Sequence, residues 1–327
     1  MEPTLNQPKI AEDKLSILET ALNLVAASVS SEIIAMPYAI YHMGIYLSLT
    51  TIVIVAFLSH ISNMMYLKVK DATPLHSESV YELAYLLVGR WAVYLVCTVQ
   101  YVLNYTSIVF YYSIIGDTLS QLFAHIFVDE LATKSHKEVK EVIQFEPLST
   151  QILSHRATTI AVVGLALLSI IFMKQLRELK VISYIFLAVL LLLISLFFAE
   201  LFCYGGNMAL SLAEVVQVKM DHRLITSFAI IVFSYNVQFM VFPAYNELKN
   251  RSNARFSQSS IVAIMISTFV YMSTGLAAIL MFAPDELKPD MLDNVSTRPG
   301  TLSFYTRAVF CLLIFLDVPF LFFTTKE

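Results

Sequence analysis

The sequence predicts an all-α membrane protein with about eight transmembrane helices, the first of which is interrupted near its middle. Three observations support this fold class. Hydrophobic residues make up 57% of the 327-residue chain and charged residues only 14%, against about 25% charged residues in a typical soluble protein. Several runs of about 20 mostly apolar residues are long enough to cross a bilayer. One of these runs carries a carboxylate and three serines at its centre, which indicates a broken helix.

That run is span 1, residues 15–40, which follows a polar N-terminal tail, residues 1–14. The polar residues at its centre are Ser28, Ser30, Ser31 and Glu32. A helix that unwinds inside the membrane needs such groups, or a ligand, to satisfy its freed backbone. An ionised carboxylate there is costly unless it is paired. We interpret Glu32 as a cation or proton site, the alternative being a protonated side chain bonded to a neighbouring serine or carbonyl.

Seven further spans follow in order, separated by polar loops. Their predicted ranges are 44–67, 91–122, 157–173, 181–204, 224–246, 259–283 and 303–323. A segment before span 3, residues 79–90, has the amphipathic pattern of a helix at the membrane interface. Span 3 contains polar residues one helical turn apart, Gln100, Asn104 and Tyr105, which we interpret as structural hydrogen-bonding groups, with cavity lining as the alternative. The aromatic clusters at 111–112 and 320–323 are expected to face lipid or the membrane interface.

Two later spans, like span 1, carry polar residues inside an apolar run. Span 6 is interrupted by Ser234, Tyr235 and Asn236. These residues are expected either to form a second unwound segment that faces a substrate or to make hydrogen bonds between helices. Asp317 lies inside span 8 and is interpreted in the same way as Glu32, as a candidate ligand for a coupling cation.

The distribution of lysine and arginine predicts that the N-terminus is cytoplasmic. The short connectors 174–180 and 249–255 carry three such residues each. A glycosylation sequon, Asn294-Val295-Ser296, falls in the loop that this topology places outside. The plasma membrane and the endolysosomal membrane both fit the sequence.

Four stretches, in the right order, resemble the amino acid/auxin permease family and its sodium-coupled neutral amino acid transporter branch most of all. They are Asn-Leu at 23–24 through Pro-Tyr-Ala at 37–39, Tyr-Glu-Leu at 81–83 through Gly-Asp at 116–117, Leu-Arg-Glu-Leu at 176–179 before Ser183, and Phe-Ser-Tyr-Asn at 233–236 through Pro-Ala-Tyr-Asn-Glu-Leu at 243–248. The resemblance implies the inverted-repeat fold of the bacterial leucine transporter, in which spans 1 and 6 unwind around the substrate.

The resemblance also implies where a substrate binds. Its carboxylate is expected at the start of the half-helix after the first break, near Ile33. The other expected substrate-binding residues are Ser28, Ser30, Ser31, Ser234, Tyr235 and Asn236. The chain departs from the family in three ways: Ser30-Ser31-Glu32 replaces a Gly-Ser-Gly break, Ala26 and Asp317 replace an asparagine and a threonine, and the second repeat is incomplete after span 8.

We therefore expect a secondary transporter of neutral amino acids, coupled to Na⁺ or H⁺, that works by alternating access. The alternative is a permease-derived scaffold without transport activity, whose open flank a partner subunit or a second copy would cover. The sequence contains no phosphate-binding loop, zinc spacing or nucleophile elbow, which argues against an enzyme. No cofactor is expected, and the net charge of −4 indicates no nucleic-acid partner. The expected environment is the lipid bilayer.

Overall fold

The structure, a computed structural model, describes residues 14–29, 31–73, 77–127, 155–171, 179–204, 218, 220–282, 287–296 and 301–326. The regular elements of this part of the chain are helices. They are α1 (Ile17–Ser28), α2 (Glu32–Met43), α3 (Ile45–Ala72), α4 (Val80–Val88), α5 (Arg90–Phe127), α6 (Arg156–Ile171), α7 (Lys180–Tyr204), α8 (His222–Phe233), a 3-10 turn (Gln238–Met240), α9 (Val241–Glu247), α10 (Asn253–Met281), α11 (Met291–Ser296) and α12 (Thr301–Lys326).

The helices confirm the predicted all-α membrane class. Within the described residues, six spans are long and apolar enough to cross a membrane: α3, α5, α7, α8 together with α9, α10 and α12. The pair α1 and α2, bent by 68°, forms a seventh if it is counted as one span. The remaining predicted span, span 4 (157–173), corresponds to α6, whose 16 residues extend about 24 Å, less than the hydrocarbon core of about 30 Å.

Helix ends follow the local chemistry of the chain. Helix α1 begins with a capping box, in which the Ser16 hydroxyl accepts from the amide of Glu19 and the Glu19 carboxylate accepts from the amide of Ser16 at 2.7 Å. Helix α2 ends at Gly44, whose φ of 77° allows the chain to reverse directly into α3. Gly89, with φ of 101°, likewise joins α4 to α5 without a longer loop.

Helix α1 is held in the bundle by contacts at its start and in its middle. At its start, the Leu15 amide donates to the carbonyl of Glu247 and the Lys249 amide donates to the carbonyl of Leu15, both at 2.9 Å. In its middle, the fully buried Asn23 side chain accepts a hydrogen bond from the Ser183 hydroxyl of α7. Two of the stretches that carry the family resemblance therefore contact each other.

The two interrupted spans lie side by side in the packing. Helix α2 packs against α8, α10 and α3, whereas α1 packs against α10, α7, α9 and α12. Helix α10 approaches α2 closely at Gly275, where an added Cβ atom would lie 2.4 Å from the Ile40 Cδ1 atom. Helix α12 packs against α5, α7 and α6 and closes the other side. The breaks at the ends of α1 and α8 thus fall inside the bundle.

The glycosylation sequon lies in the short helix α11 and not in an open loop. Asn294 lies in α11 and is only 3% exposed. Its side-chain oxygen accepts from the amide of Lys288 at 3.3 Å, which pins the start of α11 to the preceding turn. A buried, hydrogen-bonded asparagine is not presented as a sugar acceptor. The tail, residues 1–13, and most of the connector 174–180 lie outside the described residues.

Candidate functional site

Both predicted breaks are present in the backbone. Helix α1 ends at Ser28, Val29 is extended with φ −104° and ψ 91°, and α2 begins at Glu32. Helix α8 ends at Phe233, and residues 234–237 turn into the 3-10 segment before α9 begins. The sequence favours these breaks because serine and asparagine hydrogen-bond to nearby backbone and compete with the helix. Each break leaves carbonyl and amide groups that need partners inside the membrane.

One side chain from a third helix connects the two breaks. The Tyr271 hydroxyl of α10 lies 2.5 Å from the carbonyl oxygen of Ser28 and 2.9 Å from that of Ser234. Tyr271 is fully buried. A phenol has a single proton, so it donates to one of these carbonyls at a time or is shared between them. Tyr271 therefore provides the polar partner that both interrupted helices need.

Further hydroxyl groups complete this polar centre. The Ser28 hydroxyl lies 3.0 Å from that of Ser267 on α10, and the Tyr235 hydroxyl lies 2.7 Å from that of Thr268. The carbonyl of Tyr235 accepts from the Ser59 hydroxyl of α3 at 3.0 Å. Helices α3 and α10 thus contact the breaks through short polar side chains, which allow close helix approach in a membrane.

A small cavity of about 50 Å³ opens between the breaks. It is lined by Ala27, Ser28, Glu32, Leu103, Asn104, Ser107, Tyr111, Phe233, Asn236, Val237, Phe239, Met240, Phe320 and Leu321. Both breaks, α5 and α12 contribute to this wall. One carboxylate and several polar groups face a space that is otherwise lined by aromatic and aliphatic side chains, as is typical of sites for small molecules.

The two carboxylates singled out in the sequence lie near the same point. Glu32 lies in the first turn of α2 and lines the cavity. Asp317 is 1% exposed and lies outside the cavity lining. Both carboxyls interact electrostatically with the Tyr271 hydroxyl. The positive end of the α2 dipole favours negative charge at Glu32. A cation-binding role for these two carboxyls stays a prediction.

The other predicted site residues fall into two groups, those that line the cavity and those that are buried beside it. Ser28 and Asn236 line the cavity. Ser31, Ile33, Ser234 and Tyr235 are buried beside it but are not part of its lining. The Ser234 hydroxyl donates to the carbonyl of Ile230 in its own helix at 2.8 Å. Ser30 lies outside the described residues. Substrate binding by this set stays a prediction.

Some cavity residues were assigned differently from the sequence. Tyr111 and Phe320, expected at lipid or the interface, are 3% and 1% exposed and line the cavity. The reason is that α5 and α12 are apolar on most sides, so the sequence does not indicate which face points inward. Asn104 lines the cavity, Tyr105 is exposed on the outer face of α5, and Gln100 accepts a hydrogen bond from the Tyr81 hydroxyl of α4.

Tyr271 itself was not anticipated from the sequence. A signal was present, because Ser267, Thr268, Tyr271, Ser273 and Thr274 interrupt an apolar span with five hydroxyls in eight residues. Two of the five, Ser273 and Thr274, bond to the carbonyl of Val270 within α10. The other three reach the breaks. The sequence does not distinguish the hydroxyls that bond within α10 from those that contact the breaks, because this depends on how the helices pack.

Comparison with known proteins decides the family. The family model for transmembrane amino acid transporter proteins matches residues 13–327. The chain belongs to this family. It is also 25% identical over 328 residues to amino acid transporter AVT6E of Arabidopsis thaliana, in an alignment that covers 95% of this chain and 62% of the relative. The chain therefore spans less than two thirds of that relative's length.

Membership of the transmembrane amino acid transporter family confirms the resemblance that the four motifs indicated. The family is one of transporters and not of enzymes. It also gives a context to the geometry above. This chain has a small cavity between two helix breaks, with Glu32 on the wall and Tyr271 joining the breaks. The membership favours transport over the scaffold alternative.

Proposed function

We propose that this protein is a secondary active transporter of small neutral amino acids, driven by a Na⁺ or H⁺ gradient. The observation that carries the proposal is that the interrupted spans share one small cavity and are joined at their carbonyls by Tyr271. The family, and the plant relative that is named as an amino acid transporter, support amino acids as the substrate class. Alternating access would open this cavity to each side of the membrane in turn.

The size and lining of the cavity favour a small neutral substrate. A volume of about 50 Å³ holds roughly three to five water-sized groups, since each needs about 10–15 Å³. This is comparable to the five heavy atoms of an amino acid backbone. Among the described lining residues there is one carboxylate and no cationic side chain. An acidic substrate side chain would therefore lack a partner, and a long one would require the cavity to expand.

Charge balance gives a reason for coupling to a cation. An ionised carboxylate such as Glu32 is costly inside a membrane protein, and a zwitterionic amino acid adds no net positive charge to offset it. A bound Na⁺ or a proton on Glu32 removes this cost. In this proposal the substrate carboxylate lies at the start of α2 near Ile33, its ammonium faces Glu32, and Asp317 provides a second anionic group for the coupling cation.

The membrane position of the site follows the charge rule. The start of α1 and the ends of α3 and α9 lie on the side that carries the basic connectors, which we assign to the cytoplasm. The plasma membrane and the endolysosomal membrane stay open as locations.

Uptake into proteoliposomes tests the proposal. Labelled alanine should accumulate when a Na⁺ or H⁺ gradient is imposed and should equilibrate when it is collapsed. Glu32→Gln should abolish the gradient dependence and retain exchange of alanine between the two sides. The matched control is Glu82→Gln, an exposed position on α4, which should behave as wild type. Unchanged coupling in Glu32→Gln would overturn the assignment of Glu32.

A further inference from the structure

A second and larger cavity lies at the proposed cytoplasmic ends of α3 and α9. Its volume is about 410 Å³, against about 50 Å³ for the cavity between the breaks. We call it the vestibule. The described residues that line it are Lys70, Asp71, Thr73, Ser77, Glu78, Tyr245, Asn246 and Arg251. None of them lines the central cavity.

The charged groups of the vestibule are balanced. Its described lining contains two cations, Lys70 and Arg251, and two carboxylates, Asp71 and Glu78. Lys70 pairs with Asp71 at 3.3 Å, and Arg251 lies 3.9 Å from Glu78. Three of the four side chains are 42–72% exposed, and Lys70 is 19% exposed. Ion pairs that are this accessible to water contribute little to stability, so a ligand can replace one partner of each pair at little cost.

Less exposed groups give the vestibule a fixed shape. Lys70 lies over the ring of Tyr245, with its Nζ atom 4.3 Å from the ring centroid. The Asn246 side chain donates to the carbonyl of Glu78 at 2.9 Å and joins α9 to the segment before α4. Ser77 is 3% exposed, and within the described structure its buried hydroxyl oxygen has no hydrogen-bond partner. A buried hydroxyl without a partner is unfavourable, which a ligand in the vestibule would relieve.

We propose that the vestibule is a second binding site for a zwitterionic amino acid. The ligand carboxylate would bind Lys70 and Arg251, its ammonium would bind Asp71 and Glu78, and Ser77 would hydrogen-bond to one of its polar groups. Equal numbers of cations and carboxylates favour a zwitterion over a polyanion or a bare cation. The proposal rests on the proposed function for its ligand class. The far end of α9 continues from the 3-10 turn that borders the central cavity, so both sites contact one short segment.

Binding to the purified full chain tests this proposal with labelled L-alanine and L-leucine. Ser107→Leu fills the central cavity from α5 and leaves the vestibule unchanged. This variant should still bind both amino acids saturably. The double variant Lys70→Gln/Arg251→Gln, placed on Ser107→Leu, should weaken that binding at least tenfold. Arg223→Gln, at the other end of the molecule and 51% exposed, is the matched control and should leave it unchanged. Monodisperse elution verifies that each variant is folded.

The outcomes separate this proposal from the proposed function. Saturable binding to Ser107→Leu that is lost in the double variant supports the vestibule, even if wild-type proteoliposomes accumulate nothing. Absence of binding by either amino acid to folded Ser107→Leu overturns it, even if wild-type uptake is robust. A zwitterionic lipid headgroup has the same charge pattern. Phosphatidylethanolamine that co-purifies with Ser107→Leu and is lost from the double variant, with no amino acid bound, also overturns it.

Discussion

Replacing Tyr271 with phenylalanine removes the hydroxyl that joins the two helix breaks and keeps the ring. In the native protein this hydroxyl lies 2.5 Å from the carbonyl of Ser28 and 2.9 Å from the carbonyl of Ser234. The site is fully buried, so water does not replace the lost donor. Leaving a buried acceptor without its partner costs about 1–3 kcal/mol. Only one such cost is expected, because the phenol carries one proton.

This cost should appear in both stability and transport. A loss of about 1–3 kcal/mol corresponds to roughly a 5- to 150-fold change in an equilibrium constant. We expect Tyr271→Phe to lower the thermal stability of the purified protein. It should also reduce initial uptake of alanine by at least about tenfold, because the carbonyls that shape the cavity lose their common donor. Scanning fluorimetry in detergent and initial-rate uptake in proteoliposomes measure the two effects.

The matched control is Tyr235→Phe. Its hydroxyl contacts the Thr268 hydroxyl at 2.7 Å and touches neither break carbonyl, although its ring packs against that of Tyr271 with centroids 5.6 Å apart. Removing this hydroxyl takes away one bond between side chains, so the effect on uptake should be several-fold smaller. Wild-type uptake and stability in Tyr271→Phe, or an equal loss in both variants, would refute the bridging role of Tyr271.

Two further predictions concern parts of the molecule away from the breaks. Arg307 donates to the side chain of Gln121 at 2.8 Å and interacts electrostatically with Glu200, which is fully buried. Arg307→Met should destabilise the protein by about 1–3 kcal/mol, because it removes the donor to the Gln121 side chain; chemical denaturation should show no such loss for the exposed Arg223→Met, and equal midpoints would contradict it. Asn294→Gln should leave the mass of protein expressed in a glycosylating host unchanged, because Asn294 is buried in α11; a lower mass on gels would contradict its placement.

The spans and their breaks were predictable because they depend on composition and local chemistry. An apolar run of sufficient length must span the bilayer whatever it packs against. Polar residues in the middle of such a run, as at Glu32 and Asn236, must mark either a break or a hydrogen bond between helices. The structure places a break at both positions and cavity lining at both residues.

The inward faces of the helices were not predictable in the same way. Tyr111 and Phe320 line the cavity, whereas Tyr105, on the same helix as Tyr111, is exposed. In a soluble protein, polar residues would mark the outer face of each helix. In a membrane the outer face is as apolar as the core, so this guide is lost. The role of Tyr271 depends on distances between three helices, which no single stretch of sequence contains.

The loss of glycine at the first break acquires a physical explanation from the same geometry. Glycine permits unusual backbone angles and close approach of a ligand to the main chain. Ser31 has an ordinary φ of −65° and Glu32, at the second glycine position, is the first residue of α2, so neither residue needs the backbone freedom of glycine. The exposed backbone oxygen of Ser28 is satisfied by a phenol hydroxyl from α10. The Tyr271 side chain thus provides a hydrogen bond to the broken helix that a ligand would otherwise have to provide.

The most direct test of the central claim is whether a transported amino acid protects the cavity between the breaks. Asn236→Cys places a thiol on the cavity wall, and serine at the two exposed cysteines, Cys97 and Cys203, removes the background. Labelling by a small thiol reagent is then timed with and without each amino acid that the proteoliposomes accumulate. We predict that accumulated amino acids slow labelling and that amino acids that are not taken up leave it unchanged. Equal labelling rates in a variant that still transports would contradict the placement of the substrate in this cavity.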